Sequence, residues 1–475
     1  MKKTDPRPCE IRISLERSRG ELLRAFVREA ALLEGAPPSV ASLLAEDALC
    51  AFTALCALAS GHDIADIDVS SSRRDLRCRI RLKGHARFSS IAGALGDLAR
   101  RDAGLSVRER GVDGFEASFH RGLEAESEAP VSFDPATAPP PAEAPPAGDV
   151  SIDLPRREDA AAIARCFLAI YGHNYVHTEV FSPQRCWSRV ESGALLPVVA
   201  RDEKGEVIGH VALERENGAV IAERGEAVVL DSYRGRHLLE RMTERLSQEA
   251  RKLGLTGVYA LPVTLHTFSQ RNDERAGMPV CAILLGKAPE AAHPKGAPPP
   301  TAGQRQSYLL TFRFLAEPPK RAFHAPQAYR EIMLGIYESL GVAASPCPPG
   351  SPRAGASKTR ISIDQRGYGK IEFEEVGLDA GVELAQALQD VCSLGARATQ
   401  LLARVADPGL PHIVEKARGL GFFFCGVGPA VLDGEDVLML QYLRDPLDVG
   451  KLQLFTDQAR RLAAFIADDR ASRAP

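Results

Sequence analysis

Residues 228–260, VVLDSYRGRHLLERMTERLSQEARKLGLTGVYA, read as a strand, a tight basic turn and a long amphipathic helix. Such a turn aims the free backbone N–H groups of a helix N-terminus at one point, where an anion is held without side chains. Arg234 and Arg236 flank Gly235 and add charge-assisted donors, while His237, Leu238 and Leu239 open the helix. The turn is a candidate phosphate site; its bland alternative is a plain strand-to-helix corner. A second cluster follows in LPVTLHTFSQRNDERAGMPV, where His266 and Ser269 lie within one helical turn and Gln270 is next to them. A His and a Ser so spaced can carry protons, although the same run suits a strand end and a helix cap. Glu226, just before the turn, and His210, on the neighbouring strand, are candidate bases, each residue type more often solvated or hydrogen-bonded in place. His173 and His177 are four apart, but only Glu179 joins them, so no metal is expected.

The chain that must position these groups has 475 residues, long enough for about three domains. Hydrophobic residues make up 45% and charged residues 25%, as in a globular protein. A net charge of −3 gives no reason to expect nucleic acid as a partner. The opening MKKTDPRPCEIRISLERSRG has no apolar core of a secretory signal, and the apolar run ALCAFTALCALASGH at 48–62 is too short to span a bilayer. A cytoplasmic protein with no membrane partner is expected. Ten cysteines, none in a CxxC pair, are then reduced thiols, mostly small core residues.

The sharpest compositional break is GLEAESEAPVSFDPATAPPPAEAPPAGDV, a Pro- and Ala-rich linker over 122–149 between domains at 1–121 and 150–317. A third domain is expected over 318–475, with 287–306 and 343–358 as surface loops. The middle domain shows VSIDL, a helix PRREDAAAIARCFLAIYG, strands ALLPVVARD, EVIGHVALER and GEAVVLD, the helix above, GVYALPVT, a short helix and two closing strands, VCAILLG and SYLLTFRFL. DEKGE between two strands is a hairpin turn, and Gly254 should end the long helix.

This order resembles the GNAT (Gcn5-related N-acetyltransferase) fold over about 165 residues. The resemblance implies acetyl-CoA as acyl-donor substrate, with Val228, Val229 and Leu230 on the strand that meets it. The family's pyrophosphate loop, Arg/Gln-x-x-Gly-x-Gly/Ala, falls on Arg234-Gly235-Arg236-His237-Leu238-Leu239 and departs from it at His237 and Leu239. His266, Ser269 and Gln270 then follow the strand that parts from its neighbour to admit the pantetheine arm. Tyr171, Asn174 and Tyr175, with Trp187 nearby, fall where the family shapes its acceptor pocket. Many members protonate the leaving thiolate with a Tyr of the next helix; no Tyr occurs between 260 and 307.

In 9–121, a strand EIRISL, an amphipathic helix, the buried helix SVASLLAEDALCAFTALCALA and strands ADIDVSSS and LRCRIRLKG resemble the GHKL-type ATPase domain of anti-sigma-factor serine kinases. Glu46 and Asp47 match the family's Glu, but its magnesium-binding Asn falls on Cys50 or Ala51, and only Lys83-Gly84-His85 stands where a DxGxG turn is sought. In the tail, ARGLGF, FFFCGV, Asp433-Gly434 and VLMLQYL resemble closing strands of the GNAT fold, without a basic glycine loop and with acidic EFEEVGLDAG instead. The expected class is α/β (α+β): a degenerate HATPase-like sandwich, a GNAT fold and a degenerate GNAT-like fold. The expected activity is transfer of an acetyl group from acetyl-CoA to an amine on a small molecule, peptide or protein. The alternative is a non-catalytic regulator of an anti-sigma-like switch that binds a protein partner through its N-terminal domain and senses CoA.

Overall fold

The structure, a computed structural model, describes residues 9–57, 63–71, 75–82, 106–109, 115–122, 148–172, 175, 178–215, 219–289, 304–348, 350–364 and 366–472. Residues 123–147 of the expected linker lie outside these. The chain divides into two compact units, and the division is not sequential. One holds Met1–Ser127, Pro348–Phe423 and Leu440–Asp445; the other holds Glu128–Cys347, Phe424–Met439 and Pro446–Pro475. The tail expected as one domain over 318–475 is therefore shared between both.

The first unit begins with β1 (Cys9–Ser14), α1 (Gly20–Leu33), α2 (Pro38–Cys56), β2 (Ile64–Ser71), β3 (Asp75–Leu82), β4 (Ser106–Glu109) and β5 (Phe115–Gly122). The strands pair antiparallel in the order β1-β2-β3-β5-β4. Alternation in β3 buries Leu76, Cys78 and Ile80 on one face, the period of two read from LRCRIRLKG. By length and composition alone α2 could cross a membrane, but 50% of its apolar window is buried inside the fold. Its Asp47 is buried and accepts from Arg121 of β5 at 2.6 Å, while Glu46 pairs with Arg24 at 3.0 Å on the surface. Both carboxylates of the expected nucleotide helix are thus engaged by arginines; Lys83, Gly84 and His85 lie outside the described residues.

The second unit runs β6 (Ser151–Asp153), α3 (Ala160–Tyr171), α4 (Pro183–Glu191), β7 (Leu195–Arg201), β8 (Val207–Glu214), β9 (Ile221–Val229), α5 (Leu238–Lys252), β10 (Gly257–Ala260), α6 (Phe268–Arg275), β11 (Val280–Ala288) and β12 (Gln306–Phe314). Then come β13 (Arg321–Phe323), α7 (Arg330–Ser339) and β14 (Ala344–Pro346). The strands line up as β6-β7-β8-β9-β10-β12-β11, antiparallel throughout except for the β9–β10 pair. The expected DEKGE turn closes the β7–β8 hairpin, with the Asp202 N–H donating to the Glu206 carbonyl at 3.0 Å.

Leu238, Met242, Leu246 and Ala250 of α5 recur every four residues and form one buried stripe against Val198, Ile208, Val211 and Leu213 of the sheet. Burying each of the large side chains stabilises the contact by roughly 1.5–3 kcal/mol. Gly254, at φ +74°, ends α5 as expected: its N–H donates to Arg251 and that of Leu255 to Ala250. This 6→1 and 5→2 closure satisfies the last carbonyls of the helix.

The chain then returns to the first unit with β15 (Lys358–Ile363), β16 (Tyr368–Glu375), α8 (Ala380–Ser393), β17 (Ala398–Arg404) and α9 (Leu410–Gly419). β15 pairs antiparallel with β4, extending the N-terminal sheet through β16 to β17. This pairing is the physical reason that 348–423 groups with the N-terminal segment. β18 (Phe423–Leu432), β19 (Glu435–Leu443) and α10 (Asp457–Ala471) close the fold. In the second unit Gly426 of β18 pairs with Ala282 of β11, and buried Asp469 of α10 accepts from Tyr329 Oη and the Phe424 N–H, both at 2.8 Å. Phe422, Phe423 and Phe424 are all buried.

Candidate functional site

The parallel pair β9–β10 lasts for three positions, Gly257↔Ile221, Val258↔Ala222 and Tyr259↔Glu223, and then ends. Beyond Glu223, β9 continues along β8 alone. A register shift between His210 and Ala212 sets two residues, Glu226 and Ala227, opposite Val211, which makes a β-bulge. Glu226 has φ +48°, a left-handed conformation costly for a residue with a Cβ. Past the bulge His210 pairs with Val228, and the Leu230 N–H donates to the Ile208 carbonyl at 3.0 Å. With a period of two, the main chains of Val228 and Leu230 face β8, whereas those of Ala227 and Val229 face the gap where β10 has parted. An extended ligand could add there as a strand. Tyr171 donates its hydroxyl to the Ala227 carbonyl at 3.4 Å, at the edge of this gap.

The free edge leads straight into the turn before α5. Asp231–Tyr233 form one 3-10 turn, Gly235 has φ +79° with open space at its Cβ position, and His237, the N-cap of α5, has φ +55°. Two left-handed residues so close in sequence bend the backbone into a concavity of N–H groups. Among the described residues, the amides from Gly235 to Glu240 make no hydrogen bond within the protein, whereas the Arg241 N–H closes the first helical turn on His237. Leu238 is buried and Leu239 half-buried, so these two offer only backbone.

The side chains differ from the expectation. Arg234 is paired with Asp231 at 2.7 Å on the surface, and Arg236 donates to the Gly148 carbonyl and lies over the Tyr233 ring. Arg241 donates to the Val150 carbonyl at 2.6 Å. Two arginines thus hold the segment entering this unit, beside an open cleft of about 650 Å³ that Asp202 and Glu203 also line. The His237 imidazole turns back to Glu240, Nδ1 to Oε2 2.5 Å, and Glu240 also accepts from Arg275 at 2.8 Å. Burial raises the Glu240 carboxyl, but the hydrogen bonds with Arg275 and His237 together outweigh it and hold the group below its ordinary value. The bare backbone N–H groups of this turn thus stand beside Glu240, a carboxylate engaged by Arg275 and by the His237 ring.

The turn after β10 brings His266 and Ser269 to one end of α6, as their spacing implied. Burial lowers the affinity of His266 for a proton, which keeps it neutral near pH 7, and its Nδ1 is buried without a hydrogen bond. Phe268, beside it, is 74% exposed. Gln270 requires a correction as a cofactor contact. Its amide donates to the carbonyls of Val263, His266 and Gln453, at 3.0, 3.0 and 2.7 Å, and its oxygen accepts from the Phe455 N–H at 2.9 Å. Every polar atom of the side chain is spent on backbone, which makes Gln270 a brace.

Tyr171 stacks on Phe167, Tyr175 lies tilted against both rings, and His210 meets Phe167 edge-on. Burial raises both phenols, so each stays protonated. Asn174, His173 and His177 lie outside the described residues. Trp187 does not join the aromatic cluster; its indole N–H donates to Glu191 of its own helix at 2.9 Å. Among the described residues no group of three His, Cys, Asp or Glu is placed to hold a metal.

Arg189 was not picked out by the sequence. It is buried in α4 and binds Glu226 through one nitrogen and Glu214 through another, the latter at 2.8 Å. His210 Nε2 is 3.6 Å from the second oxygen of Glu226, and both groups are inaccessible to solvent. Burial pushes the Glu226 carboxyl up, but His210 and the Arg189 charge outweigh it and bring it from 4.5 to about 2. A carboxylate held so low is a poor proton acceptor at neutral pH. Glu226 anchors the bulge here, and its environment does not suit a general base. Arg224 and Asp273 form a further buried ion pair from β9 to α6, with Thr311 donating to Asp273 at 2.8 Å.

A second strand-to-helix corner, from β16 into α8, is built differently. The Val376 N–H donates to Asp407 at 3.0 Å and that of Gly377 to Ser357 Oγ at 2.9 Å, while Asp379 accepts from the Ser357 amide and hydroxyl, both at 2.8 Å. β16 and β17 stay paired over six positions, from Tyr368↔Ala398 to Phe373↔Ala403.

No family model matches the sequence, and no curated protein does. Among solved structures, the chain is similar to a GNAT family N-acetyltransferase from Escherichia coli in complex with CoA, at 18% identity over 37% of this chain and 87% of that one, with a TM-score of 0.25. It is similar to an N-acetyltransferase from Staphylococcus aureus, at 14% identity over 35% and 99% with a TM-score of 0.29. A ribosomal-protein alanine acetyltransferase from Vibrio fischeri matches at 15% identity over 36% and 96%, also with a TM-score of 0.29.

Proposed function

We propose that the second unit binds an acyl-coenzyme A, most simply acetyl-CoA, and transfers its acyl group to an amine. The observation that carries this reading is the parting of β9 from β10 after Glu223, which leaves a bare backbone edge running into an open ring of helix N-terminal N–H groups. A pantetheine arm is an extended chain with two amides, which matches the edge at Ala227 and Val229. A pyrophosphate is the anion that would sit at Gly235–Glu240. In the reaction the amine nitrogen attacks the thioester carbonyl, a backbone N–H stabilises the oxyanion, the C–S bond breaks, and thiolate and amide leave. The thiolate takes up one proton and the amine gives up one. Tyr171, protonated and at the bulge, is the candidate donor to the thiolate; neutral His266 is the candidate acceptor from the amine. Most of the acceleration then comes from positioning and from the preset oxyanion donor. The amine class is left at small molecule, peptide or protein.

The test is calorimetric titration of the full-length protein with acetyl-CoA, followed by thiol-release assays over a panel of amines. Micromolar binding with amine-dependent thiol release is expected. No binding of acetyl-CoA or CoA at about millimolar concentration, the weak limit for a specific site, would overturn the assignment. A second reading keeps the binding and drops the turnover: a regulator that senses CoA and engages a protein partner through its first unit. What favours it is the locked state of Glu226, a buried carboxylate ion-paired to Arg189 and so unsuited to take a proton from an amine. Binding without thiol release from any amine would select it.

A further inference from the structure

We infer that Arg189 is a positioning residue for the acyl-CoA edge, acting through Glu226; this rests on the acyl-CoA reading of β9. Glu226 is the residue that makes the bulge, and it does so at φ +48°, where glycine would be the natural occupant. Gly225 is its immediate neighbour, at a position opposite Ala212 with no positive φ, so the chain places the glycine one residue away from the strain. Glu226 therefore holds a left-handed conformation for what its side chain does. That side chain is fully buried, ion-paired to Arg189, with its second oxygen toward His210. Arg189 is itself fixed by Glu214 of β8, the strand against which the bulge is measured.

The consequence follows from register. With Arg189 gone, Glu226 keeps only His210 beside it, 3.6 Å away and equally buried, and relaxing the bulge is the route by which that carboxylate reaches water. A relaxed bulge shifts the strand by one residue relative to β8, and a one-residue shift exchanges the faces of Ala227, Val228 and Val229. The main chain that now faces the gap would face β8. Arg189, on a helix of the acceptor side, thus decides which amides meet the cofactor.

The experiment compares the wild-type full chain with Arg189→Met, Arg189→Lys, Glu226→Gly and the double variant Arg189→Met with Glu226→Gly. Glycine at 226 adopts a positive φ freely and removes the carboxylate that needs a partner, so the bulge no longer depends on Arg189. Acetyl-CoA affinity by calorimetry and amide hydrogen exchange over Val228–Leu230 are read in each. Arg189→Met is expected to weaken acetyl-CoA about tenfold or more, the size of one strained-residue penalty, and to speed exchange at Leu230. Arg189→Lys should lie between, and the double variant should recover both readouts. Unchanged affinity and exchange in Arg189→Met would overturn the inference, as would a folded double variant that recovers neither. Should Arg189→Met not fold, a double variant that folds and binds supports the inference, and one that folds without binding overturns it. If the wild type itself binds no acetyl-CoA, the functional reading fails, and the exchange data alone still decide whether Arg189 sets the bulge.

Discussion

Two corners of this molecule start from the same plan, a strand turning into a helix beside a parallel neighbour, and end in opposite states. At Leu230–Leu239 the strands have parted and the amides from Gly235 to Glu240 are open. At Val376–Ala380 the strands stay paired, and Asp407, Ser357 and Asp379 fill the place an anion would take. A helix N-terminus demands negative charge or acceptors from somewhere. One corner takes them from its own chain; the other leaves them to be supplied. Packing follows the same division. A Cβ at Gly377 would lie 2.3 Å from the Gly355 carbonyl, whereas Gly235 meets nothing within 4 Å.

The largest effect that could break this contrast is expected at Asp407. Asp407→Ala leaves the Val376 and Gly409 amides without acceptors in a buried corner. It should destabilise the protein by about 2–4 kcal/mol in urea unfolding, as for two buried donors left unpaired. Near-native stability would mean the closed corner is not held by its carboxylate. At the open corner, Arg234→Glu should weaken acetyl-CoA about threefold while leaving the melting temperature within a few degrees, because an exposed ion pair such as that of Arg234 with Asp231 contributes little to folding. Equal affinity would place the anion elsewhere.

An effect of opposite sign is expected for His237→Gly. It removes a left-handed residue with a Cβ and uncovers the cradle, so stability should rise by roughly 0.5–1 kcal/mol and acetyl-CoA affinity about threefold. A loss of affinity would show that the imidazole contacts the ligand. The remaining test is a pH effect. Glu226 has its carboxyl lowered from 4.5 to about 2, so it contributes stability above pH 4.5 that is lost as pH falls toward 2. Glu226→Gln should flatten the unfolding midpoint over that window; an unchanged acid limb would mean other carboxylates set it.

Much of this was legible in residue order. The four-residue stripe of α5, the stop at Gly254, the hairpin at Asp202–Glu206 and the basic turn at Arg234 are local patterns, and local patterns are what 3.6- and 2-residue periods report. The acidic lead into α8 was legible too, although not that Asp407, 31 residues beyond Val376, would close it. That His266 and Ser269 share one end of α6 was legible from their spacing. Gln270 was misassigned because its partners, Gln453 and Phe455, lie 183 and 185 residues away. Arg189 carried no signal at all, being one arginine among many until α4 set it 37 residues from its carboxylate partner in sequence and in direct contact in space.

The sequence by itself determined the elements, the apolar faces and the basic strand-to-helix turn at Arg234–Arg236, because each depends on neighbours within a few residues. The tertiary structure alone decided which of the two corners stayed open, which polar side chains became braces, and that β15 would join the N-terminal sheet through β4. The reason is common to all three. Buried donors, acceptors and charges must be matched, and where the match comes from depends on which distant segment the packed core delivers to them.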